Sequence, residues 1–300
     1  MTATICTEAL TKSYGPHRGV IGLDLEVQPG EIFGYLGPNG AGKTTTIRLL
    51  LDLIRPSSGR ASVFGIESSR DPVAIHRRTG YLPGEFTLYD RLTGGETISY
   101  FAHLRGGVDA AYQRALVERL DLDPSRHYRE YSKGNKQKVA LVVAFQHRPE
   151  LLVLDEPTAG LDPLVQQEFF ALLQEARADG RTVFLSSHLI GEVEKSCERV
   201  AIIREGRLVQ VDRVEALHDL SVHQVELRFA GPVPAAVFAA LPGVSRLTSE
   251  DHVLHLHLQG PIAPLVKAAS GFDLVDFVSR EPSLEEVFLA QYGKEVADVG

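Results

Sequence analysis

The sequence predicts an α/β chain of two domains, a larger one (1–215) built around a parallel sheet and a smaller α+β one (221–300). Three observations carry this. Up to about residue 220, short apolar runs alternate with longer helix-compatible segments, the pattern of parallel strands joined by helical crossovers. One of these runs leads directly into a glycine-rich turn and then a helical stretch. Beyond residue 211 the pattern changes to strand-like alternation interrupted by short helices, so the domain boundary is expected within 211–221. The length of 300 residues agrees, at roughly 100–200 residues per domain.

In chain order, 31–36 (EIFGYL) reads as a buried strand and 44–53 as the helix that follows it. Segments 96–105 and 109–120 read as helices between polar turns. They form part of an inserted helical subdomain spanning about 86–147. The run 151–154 is a short strand that ends in two acids, and 182–186 and 200–204 are further short strands. In the smaller domain, 221–229 reads as a strand and 234–241 as a helix. Two strands, 244–248 and 252–258, follow. Next come a helix, 264–270, with Pro264 at its first position, and a strand, 272–278. This β-α-β-β-α-β order is the ferredoxin-like one. A last helix, 283–292, opens on a capping box, with Ser283 as N-cap and Glu286 three residues on. In 252–258 a period of two puts Leu254, Leu256 and Leu258 on one face, with His252 at its start. Val253, His255 and His257 fall on the other. A solvated strand face explains the histidine pair, because no third metal ligand accompanies it.

Composition narrows the function. The chain is 44% hydrophobic and 23% charged, with a net charge of −8 and a pI near 5.8, which argues against a nucleic-acid binder. A local phosphate site made from backbone N–H groups is compatible with that charge. Cys6 and Cys197 are the only cysteines and have no metal-ligand spacing, so reduced thiols in the cytosol are expected. No basic stretch followed by an apolar core opens the sequence, and no apolar run reaches 18 residues. A cytoplasmic chain that reaches the membrane only through a partner is therefore expected.

Two motifs carry chemistry. Gly37-Pro38-Asn39-Gly40-Ala41-Gly42-Lys43-Thr44 matches G-x-x-x-x-G-K-[ST] in full, between a predicted strand and a predicted helix. Such glycines let the backbone turn its N–H groups inward, and the helix N-terminus adds its positive dipole. Lys43 is expected to reach the β- and γ-phosphates of ATP and Thr44 to ligate Mg²⁺, with Thr45 next along the nucleotide-binding helix. The second motif is Leu151-Leu152-Val153-Leu154-Asp155-Glu156. A buried strand delivers two acids to its C-terminal end, where open α/β sheets bind ligands. Asp155 is the candidate Mg²⁺ ligand, and Glu156 is the candidate base for the attacking water.

With both motifs in one chain, the sequence resembles the nucleotide-binding subunits of ABC transporters, over about residues 14–188. Tyr131-Ser132-Lys133-Gly134-Asn135 is similar to the LSGGQ signature of that family: Ser132 and Gly134 match, while Tyr131, Lys133 and Asn135 depart from it. The resemblance implies that Ser132, Gly134 and Asn135 contact ATP held by a second copy, in a head-to-tail dimer with two sandwiched nucleotides. It also implies that Tyr14 stacks on adenine, that His188 is the switch histidine on the γ-phosphate, and that Asp162 faces the partner copy. Asp162 reads equally as a helix N-cap ahead of Pro163. Where the family has a glutamine near Mg²⁺ and the water, this chain has Gly84, and Glu85 or a bridging water is expected to substitute. Glu281-Pro282-Ser283-Leu284-Glu285-Glu286-Val287-Phe288-Leu289 resembles the extension of drug-resistance-type exporter ATPases. The implied function is ATP hydrolysis that powers export through a separate transmembrane permease. A soluble ABC ATPase of DNA maintenance or translation is the rival class. It is disfavoured by a single P-loop and the lack of sustained heptads. A module that binds ATP without hydrolysing it is disfavoured by the joint presence of Lys43, Asp155, Glu156 and His188.

Overall fold

Two long antiparallel strands open the fold, β1 (Ile5–Tyr14) and β2 (His17–Val27). They belong to a computed structural model that describes residues 2–15, 17–86, 90–217, 222–232 and 235–280. Next come β3 (Ile32–Leu36), α1 (Lys43–Leu50), β4 (Ser58–Val63), β5 (Ile66–Glu67), α2 (Pro72–Arg78) and β6 (Thr79–Leu82). Three helices follow, α3 (Gly94–Leu104), α4 (Ala110–Arg119) and α5 (Lys133–Phe145). The chain then returns through β7 (Leu151–Asp155), α6 (Pro163–Ala178), β8 (Thr182–Ser187), α7 (Ile190–Ser196), β9 (Arg199–Arg204) and β10 (Arg207–Arg213). After α8 (Val214–Leu217) come β11 (Val222–Phe229), α9 (Ala235–Ala239), β12 (Val244–Glu250), β13 (Val253–Gln259), α10 (Ala263–Ala269) and β14 (Leu274–Arg280). The chain divides into two units, Met1–His188 with Glu192–Asp212, and Leu189–Gly191 with Arg213 onward.

In the first unit a six-stranded sheet runs β10-β9-β3-β8-β7-β6 and a four-stranded one β2-β1-β4-β5. The pairs β9-β3, β3-β8, β8-β7 and β7-β6 are parallel. Such strands are covered on both faces and read as unbroken apolar runs; β3 and β7 are buried at every position. Their neighbours are distant in sequence, and parallel register brings the C-terminal ends of β3, β7 and β8 to one edge. Phe184 of β8 joins this layer to β3, its ring lying 6.0 Å from that of Phe33 and 5.2 Å from that of Tyr35. The sequence predicts no strand at 5–27 or 58–67, so the antiparallel β1-β2-β4-β5 sheet is a finding of the structure.

The helical segment sits between β6 and β7. Thr93 and Glu96 form a reciprocal capping box at the start of α3, and Asp109 caps α4. Ile98, Leu116 and Val139, one from each helix, are buried, and α5 packs against both α3 and α4. Boundaries differ from expectation by a few residues. The first helix ends at Leu50 rather than 53, because Asp52 takes a left-handed φ of 53°.

In the second unit the strand order is β12-β13-β11-β14, with the three neighbouring pairs antiparallel. This arrangement realises the predicted β-α-β-β-α-β succession. Leu254, Leu256 and Leu258 are buried with Val225, Leu227, Phe229, Phe238 and Leu265, each large side chain contributing about 1.5–3 kcal/mol on burial. His255 stands on the opposite, exposed face. Pro264 is the second rather than the first residue of α10. The capped helix expected at 283–292 and the exporter-like segment 281–289 lie outside the described residues.

Candidate active site

The glycine-rich turn after β3 leads straight into α1. Gly42, the N-cap, has φ +110°, a conformation that a side chain resists. Pro38 is half-buried, Asn39 and Gly40 are exposed, and Gly37 and Ala41 are buried. Lys43 is buried, and its Nζ donates to the carbonyl oxygens of Gly37 at 2.6 Å and Pro38 at 3.3 Å. The lysine is thereby folded back over the turn. The half-buried Thr45 follows on α1, and Thr46 ties its hydroxyl to Gly42 O.

The end of β7 meets this turn. Thr44 Oγ1 donates to Asp155 Oδ2 at 2.7 Å, and Asp155 is fully buried. The second oxygen, Oδ1, accepts from Ser186 Oγ at 2.5 Å. Glu156 Oε1 stands 3.1 Å from Lys43 Nζ, and Oε2 lies 2.7 Å from His188 Nδ1. Lys43, Glu156 and His188 therefore form one continuous line across the ends of three strands. Glu156 also holds a left-handed backbone, with φ 50°. Strain of this kind at a non-glycine residue costs about 1–3 kcal/mol and persists where the surroundings over-determine it. Here the Glu156 N–H is shared between the carbonyl and the hydroxyl of Ser186, and Gln137 Nε2 donates to Pro157 O at 2.9 Å.

Gly84 borders the same carboxylate. A Cβ built on it would stand 3.2 Å from Asp155 Oδ2, so this position leaves room beside the acid rather than filling it. Glu85 is exposed. The phenol of Tyr81, in β6, is pushed up to about 12 by burial and then by the Asp155 charge; it stays protonated next to the acid.

The signature-like turn opens α5. Ser132 is its N-cap and accepts from Asn135 N at 3.3 Å. Ser132 is exposed, and Gly134 and Asn135 are half-buried. Gly134 packs so closely that a Cβ on it would lie 2.4 Å from Gly160 O, which joins this turn to the loop ending at Asp162. Tyr131 is buried and donates its hydroxyl to Asp123 O. Its hydroxyl fills the space beside Gly94, where an added Cβ would sit 2.3 Å away. Asp162 is exposed, caps α6 through the amides of Leu164 and Val165, and is held below the usual carboxylate range chiefly by the Val165 amide. Tyr14 is 43% exposed at the end of β1.

The structure thus brings together Lys43, Thr44, Asp155, Glu156 and His188, and separately Ser132, Gly134 and the Asp162 loop. Sequence reasoning missed Ser186 and Gln137 as supports. No local pattern marks them, because each acts on a residue 19 to 31 positions away. Among the described residues no group of three or more His, Cys, Asp or Glu is arranged to hold a metal, and none of the helices is long and apolar enough to cross a membrane. Cys6 and Cys197 are free thiols.

Comparison with known proteins agrees with this geometry. The ABC transporter family model matches residues 20–159. The chain is 33% identical over 310 residues to the bacitracin transport ATP-binding protein of Bacillus licheniformis, with 98% of each chain covered. It is 34% identical over 308 residues to a daunorubicin resistance ATP-binding protein of Streptomyces coeruleorubidus, covering 97% of this chain and 96% of that one. A solved ATP-binding subunit of an ABC transporter superposes with a TM-score of 0.66 at 30% identity, over 72% of this chain and 92% of that one. With the glycine-rich turn, the acid-ended strand and relatives matched along nearly their whole length, the chain belongs to the ABC transporter family, as one of its ATP-binding, ATP-hydrolysing subunits.

Proposed function

We propose that this subunit binds ATP with Mg²⁺ at the Gly37–Thr44 turn, hydrolyses it with Glu156 as general base, and drives export through a separate permease. The observation that carries the reading is the line Lys43–Glu156–His188, at 3.1 and 2.7 Å, beside the Thr44–Asp155 pair. Lys43 and the turn's N–H groups supply positive charge to the phosphates. Glu156 takes the proton of the attacking water, and His188, on the other carboxylate oxygen, orients the base and reaches toward the γ-phosphate. Tyr14 offers an exposed ring for the adenine.

The donor set suits Mg²⁺. A hydroxyl and a carboxylate oxygen already lie 2.7 Å apart, and Gly84 leaves space at the carboxylate. Mg²⁺ is bound through one or two protein oxygens, water and substrate phosphates rather than by an all-protein cage. Thr44 and Asp155 would hold it there, where it would supply positive charge against that developing on the phosphate oxygens.

A second copy of the chain completes each site in this reading, with Ser132, Gly134 and Asn135 facing the partner's nucleotide and Asp162 facing the partner copy. The exposed cap of α5 and its packing on the Asp162 loop support this. A cavity of about 270 Å³, lined mainly by apolar side chains such as Leu53, Phe86, Phe101 and Val143 but also by His76 and Arg105, lies next to the Pro83–Gly84 loop and suits a largely apolar segment of the permease. Leu53 is 49% exposed there. The chain then works on the cytoplasmic face of the membrane, with 1–215 as the ATPase and 221–300 as an accessory domain. The relatives named for bacitracin transport and daunorubicin resistance favour antibiotic-like cargo.

The test is twofold. Glu156→Gln is expected to lower kcat by about two to four orders of magnitude while ATP-bound dimer accumulates on a sizing column; hydrolysis at the wild-type rate would remove Glu156 from this role. Affinity purification from native membranes is expected to retain a polytopic membrane protein, and recovery of soluble partners alone would overturn the coupling to transport.

A further inference from the structure

Glu192 takes no part in the chemistry described above, yet its position ties that chemistry together. It lies on α7, its side chain is buried, and among the described residues no cation pairs with it. Instead its carboxylate collects two hydroxyls from different elements. Oε1 accepts from Thr158 Oγ1, and Oε2 accepts from Ser187 Oγ at 2.6 Å. A buried carboxylate without a cation is tolerated only when its oxygens are hydrogen-bonded, and bonds to an ionised acceptor are short and directional.

The two donors flank the candidate base from opposite sides. Thr158 is two residues beyond Glu156, across Pro157. Ser187 ends β8 and precedes His188, whose Nδ1 lies 2.7 Å from Glu156 Oε2. The contacts close a ring, from Glu156 through His188 and Ser187 to Glu192, and back through Thr158 and Pro157. Glu156 sits in that ring with its left-handed backbone, a conformation held only by such over-determination.

We propose that Glu192 is a positioning residue for ATP hydrolysis. By fixing Thr158 against Ser187 it holds the Glu156 carboxylate and the His188 ring in register with one another. The inference rests on the reading of Glu156 as the base. It concerns the rate of the chemical step rather than nucleotide affinity, because neither Glu192 nor its two donors belongs to the phosphate-binding turn.

The test uses the purified full chain and its Glu192→Gln, Thr158→Val and Ser187→Ala variants. Steady-state ATPase, equilibrium ATP binding and thermal melting are measured on each. Thr158→Val keeps the shape of the side chain and removes only the donor, so it reports even if Glu192→Gln folds poorly. Glu192→Gln and Thr158→Val are expected to lower kcat by about ten- to a hundredfold, the cost of a misplaced catalytic group, with the Kd for ATP within about twofold of wild type. Their combination is expected to lose no more than the stronger single variant, since both open the same ring. Wild-type kcat in both variants would overturn the proposal. So would a loss that multiplies in the combination, or one in which Kd and melting temperature deteriorate along with kcat. Glu156→Gln is assayed alongside. If it is inactive while the ring variants keep full activity, the Glu192 proposal alone falls; if it hydrolyses normally, the base assignment and the proposal fall together.

Discussion

Asp155 has one oxygen on Thr44 and the other on Ser186, and this division determines what each partner does. Thr44 shares the oxygen that borders Gly84, whereas Ser186 occupies the one facing its own strand. Ser186 also accepts from Glu156 N, so a single buried hydroxyl supports both acids. Ser186→Ala leaves a fully buried carboxylate oxygen without its donor. It is expected to destabilise the fold by about 1–3 kcal/mol and to lower ATPase activity, read from a thermal melt and a steady-state assay; an unchanged melt would mean that the hydroxyl is dispensable. Lys43 and Thr44 could be singled out in the sequence because the motif that marks them is a matter of local spacing. Ser186 could not, since a serine in an apolar strand gives no sign of the acid it will meet 31 residues back. Gly84 was legible as a departure, but only the structure shows that its bare α-carbon faces Asp155.

Helix α5 begins at a residue with two duties. Ser132 caps the helix through Asn135 N, and it stands exposed where a partner's phosphate is proposed to bind. The two duties separate by substitution. Ser132→Ala removes the cap and is expected to cost about 1 kcal/mol of stability. Ser132→Asp preserves a capping oxygen and is expected to melt near wild type, yet its negative charge would repel phosphate and suppress ATPase activity and ATP-driven dimer formation. Full activity in Ser132→Asp would argue against a phosphate contact there. Caps and buried parallel strands were readable because their signals are short. The first sheet was not. Strand β1 changes register between Thr7 and Leu10 and twice more before Tyr14, with Ala9 at φ 45°. Such bulges break the period of two on which strand reading depends. In β13 the alternation is unbroken, and the face that the sequence assigns to Leu254, Leu256 and Leu258 is the one the structure buries.

For the molecule as a whole, acid stability has an identifiable contributor in His147, which follows α5. Burial, and then the Arg105 charge, press its imidazolium down to about 4 from an ordinary value of 6.5. Above pH 6.5 the ring is neutral whether the chain is folded or not, and it makes no pH-dependent contribution. Between pH 6.5 and 4 the unfolded chain takes up a proton that the fold refuses, so stability falls as pH falls, by on the order of 3 kcal/mol in all. His147→Leu is expected to flatten this part of the stability–pH curve in urea titrations, and superimposable curves would exclude it. A different consequence follows from the strand order β3-β8-β7. The turn proposed to hold phosphate is made early in the chain, but the strands beside β3 and the acids come more than a hundred residues later. During synthesis the Gly37–Thr44 segment leaves the ribosome well before the strands that flank β3 and the acids needed to cleave a nucleotide there. Domains fold as units and non-local pairing is slow. A nascent chain therefore passes through an interval in which it cannot spend ATP, and the order of translation itself keeps the unfinished enzyme idle.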